Sequence, residues 1–138
     1  MSHIDPSREQ FDSFKALPRD TKIMMLNLIR LNENANYKDG RVATGAQAYK
    51  TYGEHSQAIF NKVGGSILWR GVPETVLIGP RAEHWDITFI AQYPNAAAFL
   101  AMVTDPDYQL IVFHRQAAVK DSRLIRLGED IQQADGFA

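Results

Sequence analysis

The stretch from His84 to Gln109, HWDITFIAQYPNAAAFLAMVTDPDYQ, contains the boundaries that decide the fold. Residues 84–92 predict a strand that ends before Pro94, because proline cannot donate to a ladder and disfavours helix at the preceding residue. Asn95 is a preferred N-cap residue, and Asp105–Pro106 repeats this signal as a cap followed by proline at the first helical position. The stretch therefore predicts a strand, a helix and the start of a second helix.

Similar boundaries on either side extend this pattern over the chain. Residues 22–31 predict a first strand that is apolar on both faces. Thr44 and Gln47 have the spacing of a capping box, which predicts the start of a helix that runs to about Val63. Further strands are predicted at residues 66–71, 74–79 and 122–127, and a short N-terminal helix at residues 6–16, with Asp5 as its N-cap and Pro6 as its first residue.

The order of these elements is β-α-β-β-α-β with an extra N-terminal helix. This is the ferredoxin-like arrangement of the α+β class, in which helices cover one face of an antiparallel sheet. The other face also needs a cover, because the first strand is apolar on both sides and a chain of 138 residues has few spare elements. We therefore expect a homodimer in which a second copy of the chain covers that face.

The bulk composition limits the classes of protein to which the chain can belong. Its 138 residues, of which 45% are hydrophobic, suit one domain. We expect an N-terminal helical extension at 1–21, a core at 22–128 and a polar tail at 129–138. The net charge of −1 argues against nucleic-acid binding, and the absence of cysteine excludes disulfides and thiolate ligands. No membrane-spanning run and no signal peptide is visible, so we expect a cytoplasmic protein without membrane contact.

His84 and Asp86 are the candidate catalytic residues. They are two positions apart on a predicted strand, so their side chains point to the same face. They would form a general base in which the carboxylate sits beside the imidazole, or two ligands of a metal ion. A metal site would need a third ligand from His55 or His114, and no spacing indicates one, so no bound metal is expected. The alternative is a structural pair at a strand start.

Four further polar residues are candidates for ligand binding, namely Asn27, Tyr52, Tyr108 and Arg115. Tyr108 and Arg115 are seven positions apart on one helix, where a phenol and a forked cation would hold a carboxylate or an enolate. The alternative places Tyr108 in the core and pairs Arg115 with Asp121 or a carbonyl near the C-terminus. Tyr52 faces the sheet from the first long helix, and Asn27 is a polar residue in an apolar strand that needs hydrogen-bond partners.

Several segments in this order resemble a known bacterial family, domain of unknown function 1330, of the dimeric α/β-barrel superfamily. The resemblance covers about residues 22–128. It implies a ferredoxin-like subunit whose sheet pairs with that of a second copy to close a barrel, with the N-terminal helix as an addition to the core. The matching segments are AYKTY (48–52), GGSILWRG (64–71), FIAQYPNAAAFLAM (89–102), DPDYQ (105–109) and HRQAAVKDSRLIRLG (114–128).

The resemblance implies several functions and selects none, because one fold hosts unrelated chemistries. The superfamily includes cofactor-independent monooxygenases, isomerases, haem enzymes and proteins without known chemistry. Our first hypothesis is a protein that binds a small molecule. If it is an enzyme, we expect monooxygenase- or isomerase-like chemistry on a small aromatic or carbonyl compound without a bound cofactor. The alternatives are a non-catalytic ligand-binding or assembly protein, and a haem-binding protein with His55, His84 or His114 as the axial ligand.

Overall fold

The computed structural model describes residues 2–129, which form four helices and four strands. The elements in chain order are α1 (Arg8–Ala16), β1 (Ile23–Leu31), α2 (Gly45–Lys62), β2 (Ser66–Gly71), β3 (Ile87–Tyr93), α3 (Ala96–Thr104), α4 (Pro106–Ala118) and β4 (Val119–Leu127). The tail predicted at 129–138 lies outside the described residues, apart from residue 129.

The four strands form one antiparallel sheet in the order β2-β3-β1-β4. The two central strands come from different halves of the chain: β1 belongs to the first β-α-β half and β3 to the second, as the ferredoxin-like arrangement requires. The structure therefore confirms the predicted fold class and the extra N-terminal helix. Within one chain the sheet is open, and it does not close into a barrel by itself.

Alternation along the central strands gives the sheet a helix-facing side and an open side. Ile23, Met25 and Ile29 of β1 are buried towards the helices, and the register places Met25 opposite Ala91 of β3. The same alternation continues along β3, where Phe89 packs with the helix-facing core. The long helices α2 and α4 lie side by side on this face and complete the core.

The helix starts confirm the sequence signals. Thr44 and Gln47 form a reciprocal capping box at α2, with Thr44 Oγ1 accepting from the Gln47 N–H at 3.0 Å. Asn95 Oδ1 accepts from the N–H of Ala98 at the start of α3. Asp105 both ends α3 and caps α4, and Pro106 occupies the first turn of α4.

The strand predicted at residues 74–79 is wrong. Residues 72–86 between β2 and β3 contain no strand, and Leu77 and Ile78 are 89% and 92% exposed. Pro73 and Pro80 bracket the segment and lack the N–H that a ladder requires. The apolar side chains therefore form an exposed loop.

Three predicted boundaries also shift. The last strand begins at Val119 and not at residue 122. The third strand begins at Ile87 and not at His84, because the Asp86 carboxylate accepts from the Leu31 N–H at 2.7 Å and takes the place of a backbone acceptor. The N-cap of α1 is Ser7, whose hydroxyl accepts from the N–H of Gln10. Asp5, which we predicted as this cap, instead accepts from the side chain of Gln116.

The open side of the sheet is largely apolar. Its central positions on β1 alternate with the buried ones, and the register places Leu26 between Ile90 of β3 and Ile125 of β4. Trp69 of β2 lies opposite Ile90 and is 59% exposed. No element among residues 2–129 covers this face.

Candidate functional site

Polar side chains divide the helix-facing core into two apolar clusters. The first contains Ile23 and Met25 at one end of β1, and the second contains Ile29 at the other end. Asn27 lies between them on the same strand face. Tyr52 packs against both clusters. We call this band the polar belt, and it consists of Asn27, Tyr52, Tyr108 and Arg115.

The hydroxyl groups of Tyr52 and Tyr108 meet at the centre of the belt. Their oxygen atoms are 2.8 Å apart, and the two rings pack edge to face at 6.1 Å between centroids. Burial raises the pKa of both phenols above the ordinary value. Both therefore keep their protons at neutral pH, and while one hydroxyl donates within the pair, the other has a proton for a further acceptor.

Arg115 brings a positive charge to these phenols. The guanidinium of Arg115 lowers the pKa of Tyr52 and of Tyr108, in opposition to the larger effect of burial. Its Nη1 donates to the carbonyl of Ile4, and its Nη2 donates to the Ser122 hydroxyl at 3.3 Å. These contacts replace the pairing with Asp121 that we considered as an alternative.

Asn27 is the member of the belt that lies on the sheet, and it is partly buried. Its side-chain amide donates to the carbonyl of Met25 at 3.1 Å, which is a contact within its own strand. Its neighbour across the β1–β4 ladder is Leu124, which lies on the helix-facing side and is still 42% exposed. The belt therefore approaches solvent beside β4.

His84 and Asp86 form a second, separate group at the end of β1. The Nε2 of His84 lies 2.9 Å from Oδ1 of Asp86, while the other carboxylate oxygen accepts from the Leu31 N–H. Both residues line an open cleft of about 480 Å³ together with Arg30 and Lys120. The Asp86 carboxylate thus binds the backbone at the end of β1 with one oxygen and contacts the exposed imidazole of His84 with the other.

The two groups of candidate residues do not meet. Leu31, which Asp86 binds, is four residues from Asn27 along β1, and this spacing corresponds to about 13 Å. A ligand in the polar belt would therefore not touch His84 directly unless it extended along the strand. The sequence identified both groups but could not separate them.

The sequence did not indicate a third cluster, centred on His114 of α4. This imidazole is 5% exposed, and its Nδ1 lies 2.6 Å from the hydroxyl of Tyr37 in the loop before α2. The ring of His55 packs edge to face against it at 5.4 Å, and Arg41 stacks on the ring of Tyr37. Tyr37 and His114 are 77 positions apart, so no local pattern could have joined them.

Burial and the neighbouring cations lower the pKa of His114. Burial is the largest cause, followed by His55 and Arg41, while the nearby Asp39 acts in the opposite direction. A histidine whose pKa is lowered by folding contributes its full stability above the unfolded value of about 6.5, and this contribution falls as the pH drops below that value.

We therefore expect the wild-type protein to lose more stability between pH 7.5 and pH 5.5 than a His114→Gln variant. Urea unfolding at both pH values would measure the two losses. Acid affects other groups in both proteins, so the difference between the losses reports on His114. Equal losses would contradict the prediction.

The described residues do not contain a ready metal site, since no three His, Asp or Glu side chains among residues 2–129 are placed to hold one ion. His55 and His114, two of the possible haem ligands, face each other, and His84 lines the cleft. None of the helices in this part of the chain is long and apolar enough to cross a membrane.

Comparison with known structures shows a close relative. The methylated RPA0582 protein is 53% identical, with 93% of this chain and 95% of that chain covered and a TM-score of 0.90. A second structure of RPA0582, a protein of unknown function from Rhodopseudomonas palustris, is 53% identical over 92% and 96% of the two chains, with a TM-score of 0.88.

More distant structures share the fold alone. A dimeric protein of unknown function with a ferredoxin-like fold from Bacteroides fragilis NCTC 9343 is 12% identical, with 80% of this chain and 98% of that chain covered and a TM-score of 0.50. No curated protein matches the chain. Residues 42–127, more than half of the chain, match the family described as domain of unknown function DUF1330. The chain therefore belongs to the DUF1330 family, with a ferredoxin-like fold.

Proposed function

We propose that the protein binds a small aromatic or carbonyl compound at the polar belt. The observation that carries this proposal is the hydrogen-bonded pair of Tyr52 and Tyr108 inside an otherwise apolar core, with Arg115 about two turns after Tyr108 on α4. Ligand sites are typically apolar cavities with a few convergent polar groups, and the belt has this composition. Displacement of the two rings would open space between the clusters.

The chemistry of the belt favours a ligand with an anionic oxygen. A protonated phenol donates one hydrogen bond, and the guanidinium supplies a positive charge and a fork of donors. A carboxylate or an enolate would accept from Tyr108 and be attracted by Arg115. The aromatic rings of Tyr49 and Tyr52 would pack against a planar ligand.

Binding of 4-hydroxybenzoate and its neutral analogue 4-hydroxybenzamide, measured by calorimetry, would test the proposal. We expect the carboxylate to bind more tightly, and Tyr108→Phe to weaken its binding by about tenfold, or about 1.4 kcal/mol, through loss of a hydrogen bond to a charged group. Tyr93→Phe is the matched control, because Tyr93 is a buried tyrosine whose hydroxyl donates to the sulfur of Met102. Equal binding by all three proteins would exclude the belt.

A second candidate function is proton abstraction by His84, assisted by Asp86. It is favoured by the contact of 2.9 Å between the two side chains in an open cleft that also contains two cationic residues, Arg30 and Lys120. A positive charge stabilises an enolate that forms when a carbon acid loses its proton. This would make the protein a cofactor-independent, isomerase-like enzyme.

Exchange of the α-protons of an aryl ketone with deuterium, followed by NMR, would separate the two candidates. If His84 is the base, His84→Asn abolishes the catalysed exchange while Tyr108→Phe leaves it unchanged. If neither variant differs from the wild type, the base lies elsewhere. Loss of exchange in Tyr108→Phe alone would place the chemistry in the polar belt.

We also propose that the protein is a homodimer joined through the open face of the sheet. The exposed Trp69 and the apolar positions around Leu26 support this proposal, since large uncovered apolar patches mark interaction surfaces. The structure from Bacteroides fragilis with the same fold is itself dimeric. A stable interface of this kind buries more than about 1,000 Å² in total.

A further inference from the structure

The N-terminal extension crosses the helix-facing side of β4 and contacts it at both ends. Near the start of β4, the N–H of His3 donates to Asp121 at 2.8 Å, and the Ser122 hydroxyl donates to the carbonyl of His3 at 2.7 Å. Near the end of β4, the guanidinium of Arg126 donates to the carbonyl of Pro18 at 2.6 Å. These contacts join residues more than 100 positions apart in the chain.

One side chain of β4 between these two contact points remains accessible to solvent. Ser122, Leu124 and Arg126 lie on one face of β4, because side chains alternate along a strand. The extension binds the first and the last of the three, while Leu124 between them is 42% exposed. Leu124 lies opposite Asn27, so this accessible position is next to the β1 residue of the polar belt.

Ile4 is the residue of the extension that contacts Arg115. Ile4 is partly buried, whereas the other residues from 2 to 10 are exposed, and its side chain packs against the cluster that contains Tyr49. Its carbonyl accepts from Nη1 of Arg115. Ile4 thus packs on the apolar cluster beside the belt, and its carbonyl holds the Arg115 guanidinium.

We propose that Ile4 is a specificity-determining residue of the ligand site, and that residues 3–5 form the wall that limits ligand size on the β4 side. This inference rests on the proposed binding of a small anionic ligand at the belt. Truncation of Ile4 enlarges the space beside Arg115, so a larger planar acid gains room. The Arg115 guanidinium also becomes more accessible, because the segment that covers it is less firmly held.

Benzoate and 2-naphthoate are the two probes for this test, with affinities measured by calorimetry on the full-length protein. We expect the wild type to prefer benzoate, and Ile4→Ala to shift the ratio of the two affinities towards 2-naphthoate by about tenfold or more, which is the discrimination that a few buried carbon atoms provide. Leu17→Ala is the matched control, because Leu17 belongs to the same extension and its side chain is 49% exposed.

A second measurement uses no ligand. Phenylglyoxal modifies arginine, and mass spectrometry gives its rate at Arg115 relative to the exposed Arg81 of the loop before β3. We expect this relative rate to rise in Ile4→Ala and to stay unchanged in Leu17→Ala. An unchanged rate in Ile4→Ala would show that residues 3–5 do not cover Arg115, and would overturn the inference.

The outcomes distinguish this inference from the proposed function. If the wild type binds benzoate, Tyr108→Phe weakens that binding and Ile4→Ala leaves the ratio unchanged, the belt is the site and Ile4 does not set its size. If neither probe binds the wild type or Ile4→Ala, the proposed ligand class fails and the size limit fails with it. A shifted ratio together with faster modification of Arg115 supports the inference.

Discussion

Replacement of Gly45 by alanine will lower the free energy of unfolding by about 1–3 kcal/mol or more, whereas the same replacement at Gly53 will raise it by about 0.5–1 kcal/mol. Both glycines belong to α2. A Cβ at Gly45 would lie 1.9 Å from the carbonyl oxygen of Asn32, which is backbone and cannot rotate away. A Cβ at Gly53 would meet nothing within 4 Å, so the variant gains the helix propensity of alanine without a clash.

Urea unfolding of the two variants beside the wild type would measure both changes. The opposite signs make each variant the control for the other, because the residue, the substitution and the helix are the same. A Gly45→Ala protein as stable as the wild type would show that the loop of residues 32–44 moves away from α2 at little cost. A destabilised Gly53→Ala protein would show that another part of the molecule covers the side of α2 that carries Gly53.

Replacement of Leu26 by aspartate will convert the proposed dimer into a monomer. Leu26 lies at the centre of the open sheet face, between Ile90 and Ile125, and a twofold interface contains each substitution twice. Burial of an unpaired carboxylate is strongly unfavourable. We expect the dissociation constant to rise by at least about 100-fold, or about 2.8 kcal/mol.

Sedimentation velocity at micromolar concentration would follow the change. Leu110→Asp is the control, because Leu110 lies on α4 and is 72% exposed, away from the open sheet face. We expect this variant to sediment as the wild type does. If Leu26→Asp also sediments unchanged, or if the wild type is a monomer, the sheet face is not the dimer interface.

The sequence predicted the elements best where one residue type imposes a boundary. Pro94 ended β3 within one residue, and Asn95 and Asp105 capped the helices as expected, because these effects are local to a few bonds. The prediction failed at residues 74–79, where the pattern was apolar but two prolines removed ladder donors. The apolar composition alone therefore predicted a strand in a segment that pairs with no other strand.

The candidate site was predicted residue by residue but not as an arrangement. The spacing of Tyr108 and Arg115 on one helix correctly placed both side chains near the sheet. The partner of Tyr108 is Tyr52, and the partners of Arg115 are Ile4 and Ser122, which no spacing indicated. Hydrogen bonds between distant residues depend on how α2, α4 and the extension pack, and packing is not encoded in a local pattern.

The sequence by itself determined the fold class, the order of the elements and the two faces of the sheet, because periodicity, capping and proline act over short stretches of chain. Only the tertiary structure decided that Tyr52 meets Tyr108, that His84 and Asp86 lie in a separate cleft, and that Ile4 reaches Arg115. Residues 4 and 115 are 111 positions apart, and the neighbouring residue His3 is bound by Ser122 of β4. Such contacts follow from the closing of long loops around a common core, which local preferences do not specify.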